Sequence, residues 1–193
     1  MSTTAAAPTR ERLLTAARDL IEEGGYGAAS VLAITARAGL AAGTLYRHFG
    51  SKEELFVEVF RSVCDRELNA MQAAAQEPGL TPTNRLENVL LTFARRALRR
   101  PRLAWALLAE PVDPLVDAQR LAYRARYAAL VAEGLSQAIA AGELPAQDVA
   151  LTAAALVGAC GEALVGPLSP QQAPPIDEVL EALNDFVRRA VGA

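Results

Sequence analysis

"RAGLAAGTLYRHFGSKEEL", residues 37–55, decides how this chain folds. It holds the only histidine, His48, and the only lysine, Lys52, of a 193-residue protein whose other long cations are all arginine. Gly39 stands where a helix must end, because glycine takes the left-handed conformation that closes a helix at little cost. The spacing predicts two short helices, over 31–38 and 42–49, on either side of that glycine. This is the layout of a helix-turn-helix, whose second helix enters the major groove of DNA. At about 100° per residue, Leu45 and Phe49 share a face with Ala42 and join Leu40 and Ile34 in a small core. Gly43, Thr44, Arg47 and His48 are expected to point away from it.

The rest of the chain extends this pattern on both sides. Thr9 is the expected N-cap of a first helix that the "GGYG" of residues 24–27 should stop, and Ser30 caps the second helix. Ser51 followed by "KEELF" is a capping box, with the serine oxygen on the Glu54 amide and the Glu54 carboxylate returning to the Ser51 amide. A long fourth helix starts there and keeps a helical period through Phe56, Val59, Phe60, Val63, Cys64 and Leu68 to about residue 76. "EPGLTPTN" breaks it, and helices over 82–100, 101–110, 114–141, 146–166 and 176–191 follow, set apart by proline-bearing segments.

Composition agrees with helix throughout. Alanine is the commonest residue and isoleucine is confined to positions 21, 34, 139 and 176, while no segment alternates with a two-residue period over a strand's length. The expected fold is all-α: a three-helix helix-turn-helix domain over 1–52 and a helical bundle for ligand binding and dimerisation over 53–193.

Charge divides unevenly between these parts. Residues 1–52 hold six basic and four acidic groups, and residues 53–193 hold thirteen and eighteen, so +2 and −5 make up the formal net charge of −3. An anionic partner is least repelled at the amino end. Hydrophobic residues make up 52 % of the chain, yet no unbroken apolar run reaches the roughly 18 residues of a membrane span, and "MSTTAAAPTR" lacks the pattern of a secretion signal. A soluble, cytoplasmic protein without a membrane partner is expected. Cys64 and Cys160 lie far apart in apolar helical contexts with no metal-ligand spacing, which predicts buried free thiols.

The stretch "AGLAAGTLYRHFGSKEEL" resembles the N-terminal signature of the TetR family of bacterial transcription regulators, and the likeness runs from about Arg10 to Leu55. The resemblance implies that Ala42, Gly43 and Thr44 lie at the DNA groove and that Tyr46, His48 and Lys52 hold phosphates, with Ser30 and Arg47 beside them. It also implies a homodimer that reads a palindromic operator, most often as a repressor, and a C-terminal domain whose small-molecule effector moves the DNA-binding heads. Two departures stand out. Ala41 replaces the serine or asparagine that caps the recognition helix in relatives, and Leu32 and Val31 replace arginine and threonine. Affinity is therefore expected to lean on the recognition helix, the first turn of the fourth helix and Arg10.

Beyond residue 60 the resemblance fades and side-chain chemistry has to serve. Trp105 and Leu108 on one short helix, Tyr123 and Tyr127 one turn apart on the next, and Phe93 before them could line an apolar effector cavity. Arg120 and Arg124 are expected in solvent, since arginine is almost never buried unpaired. Ala154, Gly158 and Gly161 allow close approach of a partner helix, and the apolar stripe at 176, 179, 180, 183, 186 and 187 completes an expected dimer surface on the last two helices.

Enzymatic catalysis has no visible constellation here: one histidine, no paired carboxylates in a cleft pattern, and no metal or cofactor motif. The competing expectation is a helical ligand-binding or scaffolding bundle that has lost DNA affinity through Leu32, Val31 and Ala41.

Overall fold

The computed structural model describes residues 8–169 and 175–193. Among these residues there are nine α-helices and no strand: α1 (Thr9–Ala28), α2 (Val31–Arg37), α3 (Thr44–His48), α4 (Lys52–Ala75), α5 (Pro82–Arg99), α6 (Pro101–Leu108), α7 (Pro114–Ala140), α8 (Val149–Leu168) and α9 (Ile176–Val191).

Local chemistry explains most of the boundaries. The side chains of Ser30, Ser51, Thr81, Asp113 and Asp148 each accept a backbone N–H in the first turn of the helix that follows. Pro82, Pro101 and Pro114 open α5, α6 and α7, where a missing N–H costs nothing. Three expectations are corrected. Pro8, not Thr9, is the N-cap of α1, and it makes no side-chain cap bond. The Glu54 carboxylate reaches the Gly50 amide at 2.9 Å instead of that of Ser51, and a Cβ on residue 50 would lie within 2.9 Å of it. The last correction concerns α8, which starts at Val149 because Asp148 caps it, three residues later than expected.

The glycines at 24 and 25 break α1 without ending it. Gly24 (φ −149°) and Gly25 (φ +76°) leave helical geometry, and a further turn then runs to Ala28. Gly39 takes φ +65° as expected and closes α2, where the Arg12 Nη2 donates to the Ala38 carbonyl at 2.5 Å.

Leu13, Ala17 and Ile21 of α1, Ile34 of α2 and Leu45 of α3 are fully buried with Phe49 and Leu55, which makes the small head. The same core continues along α4 through Phe60 and Met71 to Leu103 and Leu107 of α6 and Tyr127 of α7. A second core joins α5, α7, α8 and α9 around Leu90, Leu135, Leu156, Leu164 and Val187. A helix of the length of α4 spans about 36 Å, enough to run from the head to the middle of the bundle.

Among the described residues one helix, α8, is long and apolar enough to cross a membrane by length and composition, with a mean hydropathy of 1.8. Thr152 and Glu162 interrupt its apolar run, so the sequence alone did not show it. Few of its residues are buried in the protomer, and Leu151 is 69 % exposed. A shallow groove of about 500 Å³ lies between α8 and α9, lined by Ala159, Ala163, Val179, Ala182 and Phe186 among others.

Candidate nucleic-acid interface and effector cavity

The short α3 is held by its inward residues. Leu45 and Phe49 are buried, while Ala42, Gly43, Tyr46, Arg47 and His48 are exposed, Tyr46 by 59 %. Its start has no side-chain cap: Gly43 occupies the N-cap position and the Thr44 amide donates to the Ala41 carbonyl at 2.9 Å. Without a capping oxygen at Ala41, residues 41–44 form a turn and the helix begins at Thr44, two residues later than its pattern predicts. Ser30 is exposed, but its hydroxyl is engaged at 3.1 Å by the Ala33 amide.

Thr44 corrects the expected outward face. It is only 4 % exposed, and its Oγ1 accepts a 3.0 Å hydrogen bond from Arg47 Nη2. A buried hydroxyl one turn before an exposed guanidinium fixes where that guanidinium stands, so Thr44 holds Arg47 in place.

The disposition of charge is the main feature of the head. Arg10 pairs with Glu58 and stacks over Phe49 at 4.9 Å, Arg18 pairs with Asp19, and Arg37 grips Glu23 through two 2.8 Å bonds. Arg10 is therefore paired within the protomer, although its side chain stays half exposed. Arg12 is spent on the carbonyls that end α2. Among the described residues, the head's cations without a carboxylate or carbonyl partner are Arg47 and Lys52, which stand with the exposed imidazole of His48 at the junction of α3 and α4. Leu32 on α2 is 71 % exposed on an element that carries no free cation.

The bundle encloses a mainly apolar cavity of about 250 Å³ between α4, α5, α6, α7 and α8. Phe93, Leu108, Tyr123 and Tyr127 all line it, with the Phe93 and Tyr127 rings 5.8 Å apart. Trp105 does not: it lies on a different face of α6 and packs against the second core, because its neighbours Leu103, Ala104, Leu107 and Leu108 take the cavity side. Phe60, Cys64 and Met71 of α4 belong to the wall as well, and their helical spacing in the sequence could equally have meant plain core. Gly158 and Gly161 of α8 border the cavity, with open space where a Cβ would stand.

Both thiols face a dry environment. Burial pushes Cys64 up to about 12 and Cys160 up to about 11. Burial also raises the Tyr127 hydroxyl, which donates to the Cys64 carbonyl at 3.4 Å.

Four arginines border the cavity. Arg96 is held by Glu67 in two bonds and Arg100 by Glu22. Arg120, expected in solvent, is turned inward: its side chain is 13 % exposed, and Nε and Nη2 donate to the carbonyls of Leu107 (2.8 Å), Ala106 (2.9 Å) and Glu110 (2.6 Å). The end of α6 supplies carbonyls that would otherwise lack partners, which is why a guanidinium is tolerated there. Arg124 is exposed and, among the described residues, has no partner.

Residues 13–59 match the family model of bacterial regulatory proteins of the tetR family, and residues 79–164 match a tetracyclin repressor-like C-terminal domain. The HTH-type transcriptional regulator UidR of Escherichia coli K12 is 30 % identical over 80 % of this chain and 79 % of its own length. The HTH-type transcriptional repressor KstR of Rhodococcus jostii is 35 % identical over 55 % of this chain, a match that spans about half of that relative's length (49 %). The crystal structure of FadR from Bacillus subtilis in complex with stearoyl-CoA shares the fold, with a TM-score of 0.79 over 92 % of this chain and 96 % of that one at 20 % identity.

Proposed function

Because this chain belongs to the TetR family of bacterial regulatory proteins, we propose that its α3 face and its cavity are the two ends of one switch. The protein is a ligand-responsive, DNA-binding transcriptional repressor that works as a dimer. In our reading the DNA-binding head covers residues 1–52 and the ligand-binding and dimerisation part residues 53–193.

The observation that carries the DNA surface is the grouping of Arg47 and Lys52, the cations that the head's own carboxylates and carbonyls leave unengaged, with the exposed His48 beside them. With Tyr46 they hold phosphates, while the small Ala42 and Gly43 let the backbone approach the groove closely, and Ser30 lies beside them at the start of α2. Thr44 sets the rotamer of Arg47. The α8 and α9 faces pair across a twofold axis, so that two heads meet the two halves of a palindromic operator. Such a pairing covers the apolar surface of α8 that the protomer leaves exposed. The alternative of a bundle without DNA affinity leaves this cation cluster without a purpose.

The effector is an elongated apolar molecule with an anionic end. Its chain lies against Phe60, Phe93 and Tyr127, and the unpaired Arg124 meets its charge. The stearoyl-CoA held by the FadR relative has this chemistry. Binding, not catalysis, is the role we assign to the cavity. Its two thiols are kept protonated by burial and are poor nucleophiles, and the one histidine is exposed on α3. An operator lies in the bacterial cytoplasm, and that is where we take the protein to act.

Selection of bound fragments from genomic DNA tests the first surface, and release of a selected fragment by stearoyl-CoA, by stearate and by a neutral long-chain alcohol tests the second. Release by either anionic compound at concentrations where the alcohol fails is expected. Release by the alcohol alone, or by none of the three, would overturn the effector class, and failure to enrich any fragment would overturn the DNA surface.

A further inference from the structure

At the break in α1, the Tyr26 amide donates to both oxygens of the Glu110 carboxylate, at 3.1 Å each, across 84 residues of sequence. Gly25 is shaped for this contact: its φ is +76°, and a Cβ there would lie 2.6 Å from Glu110 Oε2. Glu110 follows directly on α6, whose Leu103, Leu107 and Leu108 line the cavity. The other end of α6 also holds α1, through Arg102 on the Glu23 carbonyl and Arg100 on the Glu22 carboxylate. An eight-residue helix at the cavity thus grips the last turns of α1 from both of its ends.

On the far side, the end of α6 is fastened by a residue of the cavity wall. The Arg120 guanidinium ties together the carbonyls of Ala106, Leu107 and Glu110, and it makes no hydrogen bond to α1. A molecule in the cavity lies against Arg120 and the α6 leucines, which are bonded or adjacent to the segment that carries Glu110.

We propose that Glu110 on the Tyr26 amide is a joint through which the cavity acts on the DNA-binding head, with Arg120 setting its position through the end of α6. The proposal rests on the functional reading above and gives the cavity a contact with the head through α1, besides α4, which runs from the head into the cavity wall. Coupling between two sites requires a contact whose position both of them can bias, and this one touches the head on one side and the cavity helix on the other.

Hydrogen exchange by mass spectrometry on the full chain tests the joint with neither DNA nor effector present. Glu110→Gln removes one partner of a charge-assisted bond, so the peptide containing Tyr26 should exchange about tenfold faster. Arg120→Gln should produce the same acceleration at a distance. The double variant should be no faster than either single, while α8 amides keep their protection. Wild-type exchange at Tyr26 in Arg120→Gln, or multiplied effects in the double variant, would overturn the proposal. Should Arg120→Gln lose α8 protection, Arg120→Lys is judged by the same criteria, since an ammonium carries its donors on one nitrogen and cannot reproduce the planar fork by which Nε and Nη2 reach separate carbonyls. If exchange responds as expected but no ligand releases DNA, the functional reading fails, and only the mechanical link from Arg120 through Glu110 to the Tyr26 amide stands.

Discussion

The Tyr123 hydroxyl donates a 2.6 Å hydrogen bond to Asp65 Oδ1, which also accepts from Arg126 at 2.8 Å. The bond ties α7 to α4 at the cavity wall, and the Arg126 guanidinium lies 4.6 Å from the Tyr123 ring centroid. Bonds to charged groups are stronger than neutral ones, but Asp65 is half exposed, which screens the gain. Tyr123→Phe is expected to cost about 1 kcal/mol and to lower Tm by about 2–4 °C in a thermal melt, with the cavity shape retained.

That contact should also show in the pH dependence of stability. The Tyr123 hydrogen bond and Arg126 hold the Asp65 carboxyl below its usual value, while burial and the Asp65 charge push Tyr123 up to about 12. A lowered carboxyl contributes stability above the unfolded carboxylate pKa and loses it as pH falls through the native value. A raised tyrosine contributes fully below the unfolded value near 10 and loses its contribution as pH rises towards about 12. Urea melts of the wild type and Tyr123→Phe should therefore converge at both extremes and differ most between about pH 5 and 10.

Two neighbouring glycines should respond in opposite ways to the same change. Gly25→Ala places a Cβ on a positive φ and into the Glu110 carboxylate, a strain of about 1–3 kcal/mol. Gly27→Ala meets nothing within 4 Å inside a helical turn and should be neutral or stabilising by up to about 1 kcal/mol. Denaturant melts of both variants measure the difference, and equal effects would refute the special geometry assigned to Gly25.

These cases mark where the sequence was readable. Local rules suffice where one residue caps or ends its own helix: Ser30, Ser51, Gly39 and the prolines before α5, α6 and α7 stand where their chemistry predicts. The apolar period likewise identified Leu45 and Phe49 as the inside of the head. It misplaced Thr44, because a five-residue helix that starts late packs its first turn closely and a threonine methyl buries as readily as it faces solvent. Contacts distant in sequence left no trace in periodicity. Arg120 looks like a solvated cation until the carbonyls at the end of α6 are placed beside it, and Glu110 looks like the last residue of a helix that in fact ends at Leu108, until α1 breaks against it. Trp105 and Leu108 share one short helix, and only the packing of that helix decides which of them meets the cavity.

The proposed dimer face can be tested by charge. Phe186 of α9 is 39 % exposed and Ala163 of α8 is exposed, and both border the shallow groove between these helices. In a twofold interface each substitution acts twice. Phe186→Asp should raise the dimer dissociation constant by about 100-fold or more, seen as monomer at micromolar concentration in sedimentation with unchanged helical circular dichroism. Sedimentation like that of the wild type would move the interface elsewhere.

Operator binding should separate the residue that positions from those that touch DNA. Thr44→Val keeps the shape of a buried side chain and removes the Oγ1 that holds Arg47, so affinity should fall about fivefold. Arg47→Ala should fall further, and adding Thr44→Val to it should change nothing, because the hydroxyl acts only through the guanidinium. Lys52→Ala should weaken binding at every sequence alike and reduce the slope of log K against log salt by about 1. Tyr46→Ala should lose affinity with the slope unchanged, since its hydroxyl carries no charge to release a counterion. Gel shifts over a range of salt concentrations on a selected fragment measure all four, and additive losses from Thr44 and Arg47 would show that Thr44 contacts DNA itself.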